Sequence, residues 1–219
     1  MKINFKECNS ANFMRGRSHS VKYLVIHYTS NRGDTAKNNA DYFAREKVGA
    51  SAHYFCDESE IWQSVKDTDT AWHCGAKTYK HPECRNSNSI GIEICMNDKS
   101  GKVRQGSIDT AAELARYLMK RYGILLANVI RHHDVTGKDC PAPMVDDPAL
   151  WDAFKKSLIK EEDDEVRYKY YDDMPDWAQP TVSKLVKKGY LKGEGSGVLN
   201  LTEDTLKVLV INDRAGLYD

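Results

Sequence analysis

Two short segments far apart in the chain constrain its fold more than any other feature. Residues 23–29, YLVIHYT, form a strand-like run that carries His27, and residues 131–140 read RHHDVTGKDC. A catalytic zinc ion needs three protein ligands from among His, Cys, Asp and Glu, plus a position open to water. His27, His132 and Cys140 supply such a set if the fold brings the two segments together. On spacing alone, a paired surface or core histidine with an unrelated buried cysteine is the alternative.

The composition describes a globular protein with enough apolar residues for a sizeable core. Of 219 residues, 41% are hydrophobic and 29% are charged, and 32 basic residues balance 32 acidic ones. Because the net charge is zero, no global field draws the chain to nucleic acid or to an anionic membrane. The six cysteines lack the tight pairing of a small secreted scaffold, which favours a reducing compartment.

The N-terminal residues show no apolar run of signal-peptide length, and no segment is long enough to span a bilayer. We therefore expect synthesis in the cytoplasm without a signal peptide and no insertion into a membrane. The alternative is export by a route that needs no such signal.

Alternating strand-like and helical segments predict an α/β fold with a central mixed β-sheet flanked by helices. Strand patterns occur at residues 21–29, 52–56, 61–65, 89–96 and 128–130, and helical patterns at 34–48, 108–122 and 148–159. The pair 52–56 and 61–65 flanks an acidic turn and is typical of a hairpin. Asp34 or Thr35 is positioned to cap the first helix, and Gly123 to end the second.

The composition changes near residue 160. The acidic run EEDDE at 161–165 indicates a linker, with a charged helix end as the alternative. Beyond it, a helix opening near residues 173–175 and running to Lys188 precedes a second helix capped by Thr202. Pro180 must lie in about the first helical turn, so the true start can be later. We predict a first domain at 1–160 and a linker with a small helical domain at 161–219.

Five motifs in order then identify a family. They are VIHYTS, SAHYF, AWHCG, NSIGIEI and HHDVTGKDCP. With them the chain from about Lys22 to Ile159 resembles the type-2 N-acetylmuramoyl-L-alanine amidases, which include phage endolysins, bacterial autolysins and animal peptidoglycan-recognition proteins. Each motif alone is a weak signal, but five in this order are specific.

The resemblance implies a zinc ion held by His27, His132 and Cys140. His133 is then a neighbour of the site, and exchanged roles for the two histidines are the alternative. Many relatives have Asp at the third ligand position, and some have Cys. A catalytic tyrosine found in a short phage relative has no counterpart, because Ala52 precedes His53 here. Tyr54 is therefore left out of the catalytic set.

Two further residues match the family's catalytic positions, Glu93 and Lys138. In IGIEI the isoleucines point to one face of the strand and Glu93 to the other, where Gly91 leaves room. Burying a carboxylate on an apolar strand is unfavourable unless the group is paired or takes part in catalysis. We therefore predict that Glu93 is a general base and acid. Lys138 fits a stabiliser of the oxyanion. The alternatives are an edge-strand glutamate and a loop lysine in solvent.

The AWHCG motif supplies predicted substrate contacts. Trp72 and His73 are expected to line the substrate cleft, and a structural role for His73 is the alternative. Asp134 either orients a ligand histidine or caps a turn.

The family implies an enzyme that hydrolyses the bond between N-acetylmuramic acid and L-alanine in bacterial peptidoglycan. We expect a phage or prophage endolysin that acts on the host wall after release from the cytoplasm. The alternatives are a cytoplasmic amidase that recycles muropeptides and a peptidoglycan-binding receptor without catalysis. The tail resembles half of an S-layer homology repeat and a short segment of prophage amidases. It implies wall binding, with homo-oligomerisation through its helices or a cap on the first domain as alternatives.

Overall fold

The computed structural model describes residues 1–96, 98–159 and 166–219. The chain divides into two compact units, Met1–Ile159 and Lys160–Asp219. The acidic segment predicted to be a linker, residues 161–165, lies outside the described residues. In the part of the chain that the structure describes, none of the helices combines the length and apolar character needed to cross a membrane.

The first unit is built on a mixed sheet of six strands. Its strand order is β1-β5-β4-β7-β3-β8, and the pairing is parallel at every step except between β4 and β5. The strands of this unit are β1 Ile3–Phe5, β2 Phe13–Met14, β3 Tyr23–Tyr28, β4 Tyr54–Cys56, β5 Ile61–Gln63, β6 Thr70–Ala71, β7 Ser89–Ile94 and β8 Val129–Arg131. Strands β2 and β6 form a separate antiparallel pair. The predicted central mixed sheet is confirmed.

Helices cover both faces of this sheet. They are α1 Ala36–Arg45, α2 Gln105–Tyr122, α3 His132–Thr136, α4 Ala142–Asp146 and α5 Pro148–Leu158. Helices α2 and α5 pack on one face, where their apolar side chains join those of β3 and β7 in the largest core cluster. Helix α1 and the loop after β6 lie against the other face.

Local signals in the sequence account for several helix ends. The Thr35 side chain accepts a hydrogen bond from the backbone N–H of Asn38, so it caps α1 as predicted. Gly123 has φ of 64° and ends α2 in the left-handed conformation that glycine adopts without strain. Helix α2 begins three residues earlier than predicted, at Gln105.

Other elements were not predicted. Strand β1 pairs in parallel with β5, a partner far away in the sequence, so its three residues carry no local signal. Residues 132–136 form the short helix α3, whereas the sequence indicated only a strand leading into the histidine pair.

The second unit has its own small core. It contains β9 Arg167–Tyr168, α6 Gln179–Lys187, β10 Leu201–Thr202 and α7 Glu203–Arg214. Strands β9 and β10 pair antiparallel, a pairing absent from the predicted all-helical tail. Helix α6 starts at Gln179, later than residues 173–175, because Pro180 is tolerated only in the first turn. Thr202 caps α7 as predicted.

Candidate active site

The topology brings the two distant motifs to one edge of the sheet. Strands β3, β7 and β8 are parallel neighbours, so their carboxyl ends meet. His27 lies near the end of β3, Glu93 is its register partner on β7, and His132 follows directly after β8. Ligands of open α/β sheets bind at this edge because the loops that leave the strands converge there.

His27, His132 and Cys140 form one buried cluster. One ligand atom from each residue lies within 4.8 Å of the other two. His27 Nδ1 and Cys140 Sγ are 3.7 Å apart, and the Nδ1 atom of His132 is buried without a partner among the described residues. An unpartnered buried nitrogen is suited to bind a cation, and two imidazoles with one thiolate form a donor set typical of zinc. The three predicted ligands thus form a His/His/Cys metal site.

Burial prepares both histidines to bind a cation. It lowers the pKa of His27 well below the usual range, and His73 and His132 add to that effect. Burial, together with the charge of Lys138, lowers the pKa of His132 to about 4. Both rings are therefore neutral at pH 7, the form that binds metal.

The third ligand behaves differently. Burial raises the pKa of the Cys140 thiol to about 12. Without a cation, the sulfur would keep its proton at neutral pH. A metal ion beside the sulfur would stabilise its thiolate form, so metal binding at this site would release a proton.

Glu93 has the environment expected of a proton-transfer group. Its Oε2 atom is buried and has no hydrogen-bond partner among the described residues. Burial raises the pKa of this carboxyl to about 7, although the positive charge of Lys138 opposes the rise. A carboxyl with pKa near neutrality can both take and return a proton at pH 7.

Lys138 lies in the loop between α3 and α4, and its side chain is exposed. It lines the same cavity as the three metal-site residues and Glu93. Among the described residues that line this cavity, it is the one lysine or arginine. Its effects on the pKa values of Glu93 and His132 show that its charge reaches the site.

His73 contacts the metal site directly. Its Nδ1 atom lies 3.0 Å from Nε2 of His27, and its Nε2 atom lies 3.1 Å from the Ser89 hydroxyl. Both ring nitrogens thus have protein partners. The substrate contact expected for His73 stays a prediction, and the structural alternative is the one these contacts favour. Ser89 was not predicted as a site residue. The one sequence signal that could have identified it is its alternation with Gly91 and Glu93 on the same face of β7.

An open cavity of about 390 Å³ gives access to the metal site. Trp72 lies on its rim with 37% of its surface exposed. A second cavity, of about 490 Å³, shares Glu93, Thr29 and Phe43 with the first. Its polar wall is formed mainly by side chains of α1, namely Asn38, Asn39, Tyr42 and Arg45.

Three neighbouring residues fall outside the metal cluster. His133 follows His132 on α3 but is not part of the ligand group among the described residues. Asp134 accepts hydrogen bonds from the backbone and guanidinium of Arg131, so it caps α3 and does not orient a ligand histidine. Tyr54 donates to Asp67 within the core, which agrees with its exclusion from the catalytic set.

Comparisons with known proteins agree with the geometry of this site. Residues 17–143, more than half of the chain, match the family model described as N-acetylmuramoyl-L-alanine amidase. The amidase CwlL of Bacillus licheniformis is 36% identical over 148 residues. That alignment covers 63% of this chain and 41% of CwlL, so the chain spans about two fifths of the length of that curated relative.

Two solved structures share the fold. The catalytic domain of XlyA superposes with a TM-score of 0.62 at 29% identity, covering 73% of this chain and all of that domain. A mutant endolysin from Bacillus subtilis gives a TM-score of 0.62 at 31% identity, with 73% of this chain and 99% of that one covered.

Proposed function

The chain belongs to the N-acetylmuramoyl-L-alanine amidase family, and from this premise we propose that it is a zinc-dependent amidase of bacterial peptidoglycan. The bond cleaved is the amide between the lactyl group of N-acetylmuramic acid and L-alanine. The observation that carries the proposal is the buried His/His/Cys cluster with an unpartnered carboxyl, Glu93, at the same open cavity.

His27, His132 and Cys140 would hold the zinc ion. When bound in such a site, zinc lowers the pKa of its water to about 7 and polarises the substrate carbonyl. The protein's contribution is to keep both imidazoles neutral and to leave one side of the cluster open to the cavity.

Glu93 acts as general base and then as general acid. Its carboxylate accepts a proton from the attacking water and returns that proton to the amine of L-alanine as the amide bond breaks. A pKa of about 7 suits both steps, because neither protonation state is strongly favoured at neutral pH.

Lys138 stabilises the negative charge that develops on the carbonyl oxygen. Its ammonium group borders the same cavity, and its exposed position allows it to approach a bound substrate. Removing one preorganised donor of this kind costs about 10²–10³ in kcat, and partial solvation of Lys138 places it at the lower end of that range.

The two neighbouring cavities, which share three lining residues, suit an extended substrate. Trp72 offers an aromatic surface at the rim for the muramyl sugar. The second cavity, beyond Glu93, would receive the stem peptide. Its lining residue Arg45 is a candidate partner for a peptide carboxylate.

An endolysin role is the biological setting we propose. Support comes from the solved endolysin of Bacillus subtilis, which shares this fold at 31% identity. In this setting the enzyme is made in the cytoplasm and reaches the host wall after release.

The unit Lys160–Asp219 is proposed to be a separate module that binds the wall or a second copy of the chain. It has its own core, and Val208 and Ile211 on α7 are 55% and 64% exposed. We replace both residues with lysine in the full chain. If the module binds the wall, less protein should be retained on purified walls. If it binds a second copy, the molecular mass of the protein measured in solution should fall to that of a single chain. If neither changes, the module would have no binding function at this surface.

The amidase proposal is tested on soluble muramoyl peptides. We expect the zinc-loaded protein to release free L-alanine amino termini, and we expect chelation to abolish that release. Cys140→Ser should bind zinc less tightly, because a serine hydroxyl does not ionise as readily as a thiol. Full activity in metal-free protein would overturn the proposal.

A further inference from the structure

A chain of hydrogen bonds runs from the protein backbone to the metal site. The Ser89 hydroxyl lies 2.7 Å from the backbone carbonyl of Arg85 and 3.1 Å from Nε2 of His73. On the other side of the ring, Nδ1 of His73 lies 3.0 Å from Nε2 of His27. Three side-chain and backbone groups thus stand in line behind one metal ligand.

The fixed end of this chain determines where its protons lie. A carbonyl oxygen can only accept, so the single proton of the Ser89 hydroxyl is donated to Arg85. Towards His73 the same hydroxyl can only accept, so Nε2 of His73 donates to it. Nδ1 of His73 faces Nε2 of His27, and the hydrogen bond between them is completed when His27 donates its Nε2–H.

The consequence reaches the metal-binding atom. A neutral His27 with its proton on Nε2 has a free lone pair on Nδ1, the atom that lies 3.7 Å from Cys140 Sγ. Metal binding requires an unprotonated ring nitrogen, and the partner of the other nitrogen decides which one is available.

The neighbouring thiol does not disturb this order. Cys74 Sγ lies 3.8 Å from the Ser89 hydroxyl, much farther away than the carbonyl oxygen of Arg85, at 2.7 Å. The Ser89 proton therefore keeps its carbonyl partner.

We propose that His73 and Ser89 are positioning residues that hold His27 in the Nε2–H tautomer, with Nδ1 directed at the metal. This inference rests on the proposed zinc site and adds to it a specific cause for the orientation of one ligand. Neither residue has to touch the substrate or the metal.

Packing holds the His73 ring in place. A Cβ atom at Gly91 would lie 2.6 Å from Cγ and 2.7 Å from Nδ1 of His73, so the ring occupies the space that this glycine leaves. The ring also meets His27 edge-on, with centroids 5.1 Å apart and planes at 84°. The absence of a side chain at Gly91 is thus required by the contact between the two histidines.

The first test measures zinc affinity by competition with a chromophoric chelator. His73→Leu should raise the zinc dissociation constant by about 10- to 100-fold, the usual cost of losing an outer partner of a metal-binding histidine. Ser89→Ala should also weaken binding, because His73 can then adopt the other tautomer. His73→Asn should recover most of the loss, since Oδ1 can accept from His27 where Nδ1 did.

Controls separate positioning from folding. Ser87→Ala removes a nearby hydroxyl for which the described residues show no hydrogen bond, and it should leave zinc affinity unchanged. Melting temperatures of all metal-free variants identify any that fail to fold. Equal affinity of His73→Leu, Ser89→Ala and wild type would overturn the inference.

The second test needs no variant. Long-range ¹H–¹⁵N spectra of the zinc-loaded wild type should show the His73 proton on Nε2 and a bare Nδ1 that accepts from His27. A proton on Nδ1 of His73, or a doubly protonated ring, would overturn the inference even if zinc binds. Failure of the wild type to bind zinc at all would instead overturn the proposed function, so the two failures are distinguishable.

Discussion

The two faces of strand β7 differ in their residues and in what they contact. On one face, Ile90, Ile92 and Ile94 are almost fully buried in the main core against α2 and α5. On the other face stand Ser89, Gly91 and Glu93, which form part of the site or make room for it. The same six residues therefore pack into the core on one side and line the candidate site on the other.

This difference shows how the fold tolerates a costly group. Burying a carboxyl without a hydrogen-bond partner is unfavourable, and the raised pKa of Glu93 records that cost. The apolar face contributes the burial that offsets it. We therefore expect substitutions on the two faces to separate cleanly into losses of turnover and losses of stability.

The largest effect is expected for Glu93→Gln on the polar face. It should lower kcat by about 10²–10⁴, the usual contribution of a general acid–base group. Stability should hold or rise, because a neutral amide removes the buried carboxylate. Zinc content should be unchanged. Steady-state kinetics and thermal unfolding of the same preparation measure kcat and stability. Near-normal turnover would contradict the role of Glu93.

On the apolar face, Ile92→Ala should lower the free energy of unfolding by about 2–5 kcal/mol, since it leaves a cavity in the core. Turnover per folded molecule should match the wild type. Urea unfolding measures the free energy of unfolding. The zinc content of each preparation gives the concentration of folded sites, and dividing the rate by it gives the turnover per folded molecule. A loss of turnover in fully folded Ile92→Ala would show that the two faces are not independent.

Gly91→Ala tests the point where the faces meet. The added methyl group clashes with the His73 ring, so a cost of about 1–3 kcal/mol in unfolding free energy is expected. Zinc affinity should fall as well, because His73 must move away from His27. Unfolding with and without zinc measures both effects. Normal zinc affinity in the Gly91→Ala variant would show that the contact is dispensable.

Trp72→Ala should have the smallest effect. This residue is 37% exposed, so truncation removes part of its packing and should cost about 1–2 kcal/mol in unfolding free energy. Loss of a stacking surface should raise KM by up to about tenfold, equal to about 1.4 kcal/mol, with little change in kcat. Steady-state kinetics on muramoyl peptides check it. An unchanged KM would remove Trp72 from the predicted substrate contacts.

Much of this arrangement was predictable from local patterns. The alternation in SIGIEI indicates which side of β7 is apolar, and Thr35 and Gly123 mark the ends of helices. The family motifs indicate all three residues of the metal cluster. Each of these signals depends on residues close together in the sequence.

The rest depends on tertiary contacts that no local pattern encodes. The orientation of His73 follows from Ser89, which is sixteen residues away, and from the backbone carbonyl of Arg85. Strand β1 exists because β5 is beside it. The late start of α6 reflects Pro180, a local signal that restricted the predicted start without fixing it.

The most direct test of the central claim is mass spectrometry of the soluble products from purified Gram-positive walls, digested by wild type and by Glu93→Gln. The account predicts stem peptides with free L-alanine amino termini and glycan with intact lactyl groups. These products should be absent with a zinc chelator and nearly absent with Glu93→Gln. Stem peptides cut at an internal bond, or equal products from both proteins, would contradict it.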